Sequence, residues 1–265
     1  MLALEAGLAR VVVDPDGGGR IERLDVDGLA LLLPPEVDDH NSGCFPMAPW
    51  AGRVRHGRFT FEGVDRQLPL NKPPHAIHGI ARDRRWRVDH EEATRATISV
   101  DLGDPWPFGG RVVYDLDLAR DALSLTMEVH AGGSTMPASC GWHPWWHRRL
   151  ARGEAVELEL HADAMYVRDE ESIPTGELMP VQPPPWDDCF TDLGEPAVAL
   201  LRWPGAATMT IETDCSCVVV YTEPEEALCV EPQSGPPDEF NLAPHVVTPE
   251  SPLVVHATFR WAIDG

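Results

Sequence analysis

The chain has 265 residues, and its 43 acidic against 21 basic residues give a formal charge of -22 at neutral pH. This charge excludes proteins that bind nucleic acid or anionic membranes through a cationic surface, because phosphate groups would be repelled. An apolar content of 43% with nine tryptophans predicts a folded chain. No apolar run approaches the roughly 20 residues of a membrane span, and the N-terminus lacks the features of a signal peptide.

Apolar and polar residues alternate with a period of two through much of the chain, which is the pattern of half-buried strands. Turns rich in Gly and Pro separate the strands, and no long amphipathic helix is evident. Because strands follow strands without intervening helices, the sequence predicts an all-β fold, a large antiparallel β-sandwich. In chain order, the predicted strands are 8–13, 20–26, 96–102, 112–118, 123–129, 156–160, 197–201, 207–213, 217–222, 227–232 and 252–261.

We expect residues 1–265 to form a single domain, since the strand rhythm continues on both sides of the proline-rich stretch 180–185. That stretch is interpreted as a stiff surface loop. The six cysteines are dispersed, which favours buried free thiols in a reducing cytoplasm over a disulfide framework. Cys215 and Cys217 are the only close pair, without the second pair that a four-ligand zinc site requires.

Three segments combine aromatic residues with polar ones. Trp beside His and Arg suits a carbohydrate site, where ring faces pack on the sugar and planar polar groups bind its hydroxyls. A carboxylate and an imidazole can act as a general base and a general acid. Glu231 directly follows the apolar stretch 227–230, so we expect it at a strand end that opens onto a cleft. The three segments are 47–53 with 71–79, 140–147, and 231–241.

Each of these residues also has a simpler interpretation, because single histidines are often surface or scaffold residues and tryptophans are often core residues. His143 and His147 would form a metal pair on a helix. Pro144 and the bulky Trp145 and Trp146 argue against a helix at this position.

The order of the motifs along the chain resembles the aldose 1-epimerase (mutarotase) family. The Glu-Pro-Gln…Pro-Asp…Asn segment is the most specific of them. The matching pieces are Phe45-Pro-Met-Ala-Pro-Trp-Ala-Gly-Arg53, Asn71…His78-Gly79, Gly141-Trp-His143-Pro-Trp-Trp146, Asp187-Asp-Cys-Phe190 and Glu231-Pro-Gln233…Asp238…Asn241.

The resemblance implies a galactose mutarotase-like β-sandwich, or supersandwich, that interconverts the α and β anomers of an aldose. Glu231 matches the general base for the C1 hydroxyl, and His143 matches the general acid for the ring oxygen. His78 matches a further catalytic residue that, with Arg53, holds hydroxyls and polarises the ring oxygen. Neither a metal nor a cofactor is implied. The implied substrate-binding residues are Arg53, Asn71, Trp145, Gln233 and Asp187, with Asp188 as the alternative to Asp187.

The sequence departs from many relatives after His143, where Pro144-Trp-Trp follows, and this places it in a short, divergent branch of the family. The aldose therefore stays open, as does the choice between a free sugar and a hexose 6-phosphate. Phosphate would require a cluster of arginines, for which the candidates are Arg55, Arg82, Arg84 and Arg85.

Two other function classes also remain. One is a non-catalytic sugar-binding or regulatory module on the same fold. The other is a metal-dependent enzyme that uses His75, His78, His143 or His147. The expected partner is a small-molecule sugar rather than nucleic acid or a membrane, and the chain is a monomer or a homodimer.

Overall fold

A computed structural model describes residues 1–38 and 41–264. Nearly all of its regular structure is strand, and the one α-helix, α1 (Glu239–Leu242), is a single turn. The first strands are β1 (Leu2–Ala6), β2 (Ala9–Asp14), β3 (Arg20–Val26), β4 (Leu29–Ala30), β5 (Cys44–Met47), β6 (Arg53–Val54), β7 (Arg58–Phe61), β8 (Val64–Gln67), β9 (Ala76–Ile77), β10 (Arg87–Glu91), β11 (Arg95–Asp101), β12 (Arg111–Leu118) and β13 (Ala122–His130). They are followed by β14 (Met136–Pro137), β15 (Gly141–His147), β16 (Glu157–Leu160), β17 (Ala162–Arg168), β18 (Pro174–Pro180), β19 (Asp187–Leu193), β20 (Ala199–Trp203), β21 (Ala207–Thr213), β22 (Cys217–Tyr221), β23 (Ala227–Gln233), β24 (Val246–Val247) and β25 (Leu253–Ile263).

Two large antiparallel sheets form the body of the molecule. The larger has eleven strands in the order β1-β2-β3-β5-β15-β23-β22-β19-β17-β18, with β4 beside β3. The smaller has eight strands in the order β10-β11-β12-β13-β25-β21-β20-β16. This architecture confirms the predicted antiparallel β-sandwich.

The core lies between the two sheets, because alternate residues of each strand point to opposite faces. From the large sheet, Trp142 and Trp146 of β15 and Val230 of β23 enter this core. The Trp146 ring meets Phe259 of the eight-stranded sheet edge to face, with 5.0 Å between centroids. The residues between them, such as Trp145, point to the outer face of the large sheet and form a separate cluster there. The middle of the sheet is thus covered on both faces.

This double coverage explains which strands periodicity finds and which it misses. The predictions 20–26 and 207–213 match β3 and β21 residue for residue. Strands β5 and β15 do not alternate, because every residue from Cys44 to Met47 and from Gly141 to Trp146 is buried. A strand that is buried on both faces has no period of two to detect.

The prediction that Glu231 lies at a strand end is wrong, because β23 continues through Pro232 to Gln233. The pairing with β22 persists past the proline, since Pro232 lies opposite Val218 and Gln233 lies opposite Cys217. Glu231 is therefore held inside a central strand, where its backbone is fixed by neighbours on both sides.

The six cysteines are all buried free thiols, as predicted. Among the described residues, no helix is long and apolar enough to cross a membrane.

Candidate active site

The outer face of the large sheet carries a row of residues that crosses five strands. Phe45 of β5 pairs with His143 of β15. The pairs Gly141–Gln233 and Trp145–Cys229 set the register that places His143 opposite Glu231. Glu231 pairs with Val219 of β22, which in turn pairs with Cys189 of β19. The sheet register alone thus brings the imidazole and the carboxylate together.

A cleft of about 770 Å³ lies over this row, within the usual size range of small-molecule sites. Its floor is formed by strand residues, and its rim is formed by the segments around positions 38, 53, 72–78 and 223–226. The lining residues are Leu33, Val37, Asp38, Asn41, Gly52, Arg53, Lys72, Ile77, His78, His143, Trp145, Asp187, Val219, Tyr221, Glu223, Pro224, Glu225, Glu226, Ala227, Glu231, Gln233 and Pro237.

Glu231 and His143 are in contact on the floor of the cleft. His143 Nε2 lies 3.3 Å from Glu231 Oε1, and both side chains are less than a tenth exposed. Burial, followed by the negative charge of Asp187, raises the pKa of Glu231 well above its usual value. Burial, followed by the positive charge of Arg82, lowers the pKa of His143 to about 3. Both shifts favour the uncharged forms of the two side chains.

Gln233 supports the carboxyl group from the next outward-facing position of β23. Its Nε2 donates a hydrogen bond of 3.2 Å to Glu231 Oε2. Its Oε1 has no partner within residues 1–38 and 41–264, and neither do Nδ1 of His143, Nδ1 of His78 and Nε1 of Trp145. Buried polar atoms without partners are unusual and call for an explanation. Among the described residues, eight further atoms of this kind belong to side chains outside the cleft lining, whereas these four belong to residues that line it.

His78 reaches the cleft from a strained turn. His78 and Gly79 both have positive φ angles, 60° and 71°. The backbone packs so tightly here that a Cβ on Gly79 would lie 2.0 Å from the carbonyl oxygen of Ala48. The ring centroid of His78 is 5.1 Å from that of His143, edge to face. The environment, chiefly burial, lowers the pKa of His78 well below its usual value, so this imidazole is neutral.

Asn71 fixes this turn from outside the cleft. Its Oδ1 accepts a hydrogen bond of 2.8 Å from Ile77 N, and its Nδ2 donates one of 2.9 Å to Ile77 O. Both halves of the amide are thus engaged with the residue that precedes His78. The structure places Asn71 as a positioning residue, outside the cleft lining.

Asp187 and Asp188 point to opposite faces of β19. Asp187 lines the cleft, where its Oδ2 is 3.8 Å from Arg53 Nη2. Burial raises the pKa of Asp187, and Arg53 and Arg168 partly oppose this effect. Asp188 is buried away from the cleft and forms an ion pair of 2.7 Å with Nε of Arg168. Of the two aspartates, only Asp187 is placed to meet a ligand.

The Asp and Asn of the third motif hold the loop that carries Arg53. Asp238 N donates to the carbonyl oxygen of Arg53 at 2.6 Å. Asp238 Oδ1 accepts from Arg55 N at 2.8 Å and from Asn241 Nδ2 at 2.7 Å. The third motif therefore has two parts. Glu231 and Gln233 line the cleft, whereas Asp238 and Asn241 hold the loop that carries Arg53.

Aromatic rings enclose the histidine pair. Trp145 stacks on His143, with a centroid distance of 5.0 Å and an interplanar angle of 10°. Phe45 packs against His143, at 4.6 Å between centroids. The Arg82 guanidinium lies 4.0 Å from the centre of the Phe45 ring, which is a cation–π contact. These contacts fix the plane of the imidazole.

The four arginines considered for phosphate binding do not form a cluster, and none of them lines the cleft. Arg55 pairs with Asp169 and Glu171, each at 2.5 Å. Arg84 donates to the carbonyl oxygens of Gly103 and Asp104, Arg85 pairs with Asp16, and Arg82 lies against Phe45. The expected phosphate site is therefore not formed by these residues.

The four histidines considered as metal ligands do not come together as one set, because only His78 and His143 are in contact and line the cleft. His75 Nδ1 accepts a hydrogen bond from His56 N, and His147 does not line the cleft. In the part of the chain that the structure describes, one group of three side chains has the spacing of a metal site, namely His143, Cys229 and Glu231. Of the four histidines considered, only His143 belongs to it.

Known proteins are similar to this chain in sequence and in fold. The sequence model of the family described as aldose 1-epimerase matches residues 1–256. The chain belongs to the aldose 1-epimerase family. Membership supports a mutarotase-like function, since the family includes galactose mutarotases.

The similar sequences include both uncharacterized proteins and galactose mutarotases. YihR of Escherichia coli K12, an uncharacterized protein, is 26% identical over 91% of this chain and 85% of its own length. The galactose mutarotase of Sus scrofa is 29% identical over 50% of this chain and 41% of its own length. The similarity to the named galactose mutarotase thus spans half of this chain, whereas the similarity to the uncharacterized YihR spans most of it.

Solved structures show the same fold. A galactose mutarotase-like protein from Clostridium acetobutylicum superposes with a TM-score of 0.87 at 15% identity, covering 99% of this chain and 95% of that one. Galactose 1-epimerase from Lactobacillus acidophilus NCFM gives a TM-score of 0.81 at 19% identity, with coverages of 99% and 94%.

Seven of the eight site residues that the sequence predicts line the cleft of this family member, and the exception is Asn71. The sequence did not single out Tyr221, Val219 or the acidic rim. Tyr221 and Val219 lie in β22, whose continuous apolar run, Cys217–Tyr221, shows no period of two that would reveal which residues face the cleft. The rim at 223–226 carried no signal, because an acidic turn is ordinary in a chain of this charge.

Proposed function

We propose that this protein is an aldose 1-epimerase that interconverts the α and β anomers of a free, uncharged aldose. The contact between Glu231 and His143 carries the proposal. Anomer exchange removes a proton from the C1 hydroxyl and delivers one to the ring oxygen. Both oxygens are bonded to C1, so a base and an acid only a few ångströms apart can reach both.

In the proposed mechanism, Glu231 takes the proton of the C1 hydroxyl while His143 protonates the ring oxygen. The C1–O5 bond breaks, the ring opens, and C1 becomes an aldehyde carbon. Rotation about the C1–C2 bond presents the other face of the aldehyde to O5. Ring closure then reverses both proton transfers, so the enzyme ends in its starting protonation state.

The pair needs only one proton for this cycle, because one is removed and one is returned. In the resting cleft that proton lies on Glu231. A bound sugar donates hydroxyl hydrogens to Glu231 beside the Gln233 amide, and hydrogen bonds to a carboxylate favour its charged form. Substrate binding thus moves the proton to His143, which creates the base and the acid together.

The remaining lining residues hold the ring. Arg53 and Asp187 offer planar charged groups for neighbouring hydroxyls, and neutral His78 polarises the ring oxygen beside His143. The atoms without partners, Oε1 of Gln233 and Nε1 of Trp145, supply an acceptor and a donor. The planar ring of Trp145 offers an apolar surface for the sugar.

The charge of the cleft favours a neutral sugar over a sugar phosphate. Besides the buried Glu231, its lining carries the cations Arg53 and Lys72 and a larger number of carboxylates, namely Asp38, Asp187, Glu223, Glu225 and Glu226. A phosphate dianion would be repelled by this wall. A cytoplasmic location, where the six thiols stay reduced, belongs to the same proposal.

Polarimetry of freshly dissolved α-D-glucose and α-D-galactose tests the activity. We expect the wild type to accelerate the decay of optical rotation and Glu231→Gln to lose the acceleration. Glu157→Gln, the same exchange at an exposed residue of the other sheet, should behave as wild type. Sugar binding without acceleration would instead establish the non-catalytic sugar-binding module.

A further inference from the structure

The thiol of Cys229 lies at the catalytic pair, and the proposed mechanism does not use it. Cys229 occupies the outward-facing position before Glu231 on β23 and is fully buried. It pairs across the strands with Trp145, the residue that stacks on His143.

Three different ligand types meet at this point. A ring nitrogen of His143, Cys229 Sγ and a carboxylate oxygen of Glu231 all lie within 4.8 Å of one another. Around tetrahedral zinc, with bonds of about 2.0 to 2.3 Å, ligand atoms are roughly 3.4 to 3.7 Å apart. The pair of His143 and Glu231, at 3.3 Å, already has this spacing. Cys229 would need to move its sulfur by only about 1 Å to complete the set.

We propose that His143, Cys229 and Glu231 bind a zinc ion that enters from the cleft and blocks epimerisation. An imidazole, a thiolate and a carboxylate are the ligands that zinc takes, whereas magnesium and calcium require oxygen ligands. On binding, the Cys229 thiol and the Glu231 carboxyl group each release a proton to solvent. The thiolate and the carboxylate then balance the two positive charges of the ion, as a buried site requires. Because His143 and Glu231 line the cleft, the fourth coordination position would open toward it.

The acidic rim favours entry of a cation. Carboxylates at 223, 225 and 226 line the mouth through which the ion must pass, and they raise the local concentration of divalent cations. Bound zinc takes the lone pairs of Glu231 and His143 that proton transfer needs. The inhibitory half of the proposal therefore rests on the proposed function, whereas metal binding does not.

Cobalt(II) is the probe for the site, because thiolate ligation gives it a charge-transfer absorption band that oxygen and nitrogen ligands do not. We expect the band to appear when cobalt(II) is added to wild-type protein freed of metal. Added zinc should then remove the band by displacing the cobalt. Cys229→Ser, close in size to the native residue, and Cys229→Ala should both lose the band. Cys217→Ala is the matched control, since Cys217 is also buried on the outer face and has Cys189 beside it. A band that persists without Cys229, or disappears without Cys217, overturns the site.

Polarimetry with added zinc tests the inhibition. We expect zinc to inhibit the wild type, and the Cys229 variants to remain active while needing about 10- to 100-fold more zinc. Equal zinc sensitivity of the wild type and the variants overturns the inhibitory role. A cobalt band in a protein that epimerises no sugar would overturn the proposed function alone. An active enzyme without the band would overturn the metal site alone.

Discussion

His143 Nε2 lies 3.3 Å from Glu231 Oε1, and the two side chains face each other across the central strands β15 and β23. Neither residue depends on a loop for its position. The sheet register fixes both backbones, Gln233 holds the carboxyl group, and Trp145 holds the imidazole plane. A rigid pair of this kind is suited to act as one unit that passes a proton in and out.

A pair that works as a unit should show non-additive losses. Glu231→Gln and His143→Asn should each lower kcat by about 100- to 10,000-fold. The double variant should be within about 10-fold of the worse single variant, because removing either partner already disables the transfer. Polarimetric kcat values for the four proteins test this. Losses that multiply would show that the two residues act independently.

The raised pKa of Glu231 has a consequence for stability. A carboxyl group whose pKa is higher in the folded state stabilises the protein below the unfolded value of 4.5. That stabilisation is lost as the pH rises through the folded pKa. Glu231→Gln cannot ionise, so its stability relative to wild type should increase with pH above 4.5. Urea unfolding at a series of pH values measures this difference.

His143 makes the opposite contribution. Its pKa falls from 6.5 to about 3 on folding, so the neutral ring stabilises the protein above 6.5 and this stability is lost as the pH falls toward 3. His143→Asn should therefore lose less stability than wild type between these values. The same urea series tests it, and a curve parallel to that of wild type would rule out the buried, neutral imidazole.

The sequence predicted the parts of the fold that follow local rules. Strands with one covered face, such as β3 and β21, show their period of two directly. The central strands β5 and β15 were missed because they are covered on both faces and contain Pro46 and Pro144. Their place in the sheet is set by pairing between distant segments, which periodicity cannot reveal.

The site residues were found through motif order rather than physical pattern, and this sets the limit of the prediction. The motifs contain residues that face the cleft, such as Gln233, together with residues that brace it, such as Asn71 and Asp238. The sequence alone does not distinguish the residues that face the cleft from those that support it. Both kinds are polar, and both belong to the motifs that contain His78 or Glu231. Only the hydrogen bonds of Asn71 to Ile77 show its supporting role.

Asp187 and Asp188 should respond differently to the same substitution. Asp187→Asn removes a cleft charge beside Arg53, so we expect KM to rise about 10-fold or more with little change in stability. Asp188→Asn weakens the partly buried ion pair with Arg168 and should cost about 1 to 2 kcal/mol of folding stability. Kinetics together with urea unfolding of both variants separates the roles. The reverse pattern would assign substrate binding to Asp188.

Gly79 should not tolerate a side chain, because the added Cβ would clash with the backbone of Ala48. Gly63 separates this clash from the cost of the positive φ angle, which both glycines share. Gly79→Ala puts a Cβ 2.0 Å from the Ala48 oxygen at a φ of 71°. Gly63 has a φ of 75° with nothing within 4 Å of the Cβ position, so Gly63→Ala bears only the backbone cost, about 1 kcal/mol. Gly79→Ala should cost at least about 3 kcal/mol and reduce activity, because His78 moves. Equal Tm losses in the two variants would show that the backbone relaxes.

The acidic rim should act as a filter on substrate charge. We expect kcat/KM for glucose 6-phosphate to be at least about 10-fold below that for glucose at low salt, because the dianion approaches a net negative cleft. Added salt should narrow the gap, since screening is effective beyond about 10 Å at 0.1 M. The combined change Glu223→Gln, Glu225→Gln and Glu226→Gln should narrow it further, while Glu157→Gln should not. A wild type that prefers glucose 6-phosphate over glucose at low salt would contradict the filter. That result would point to Arg53 and Lys72 as a phosphate site.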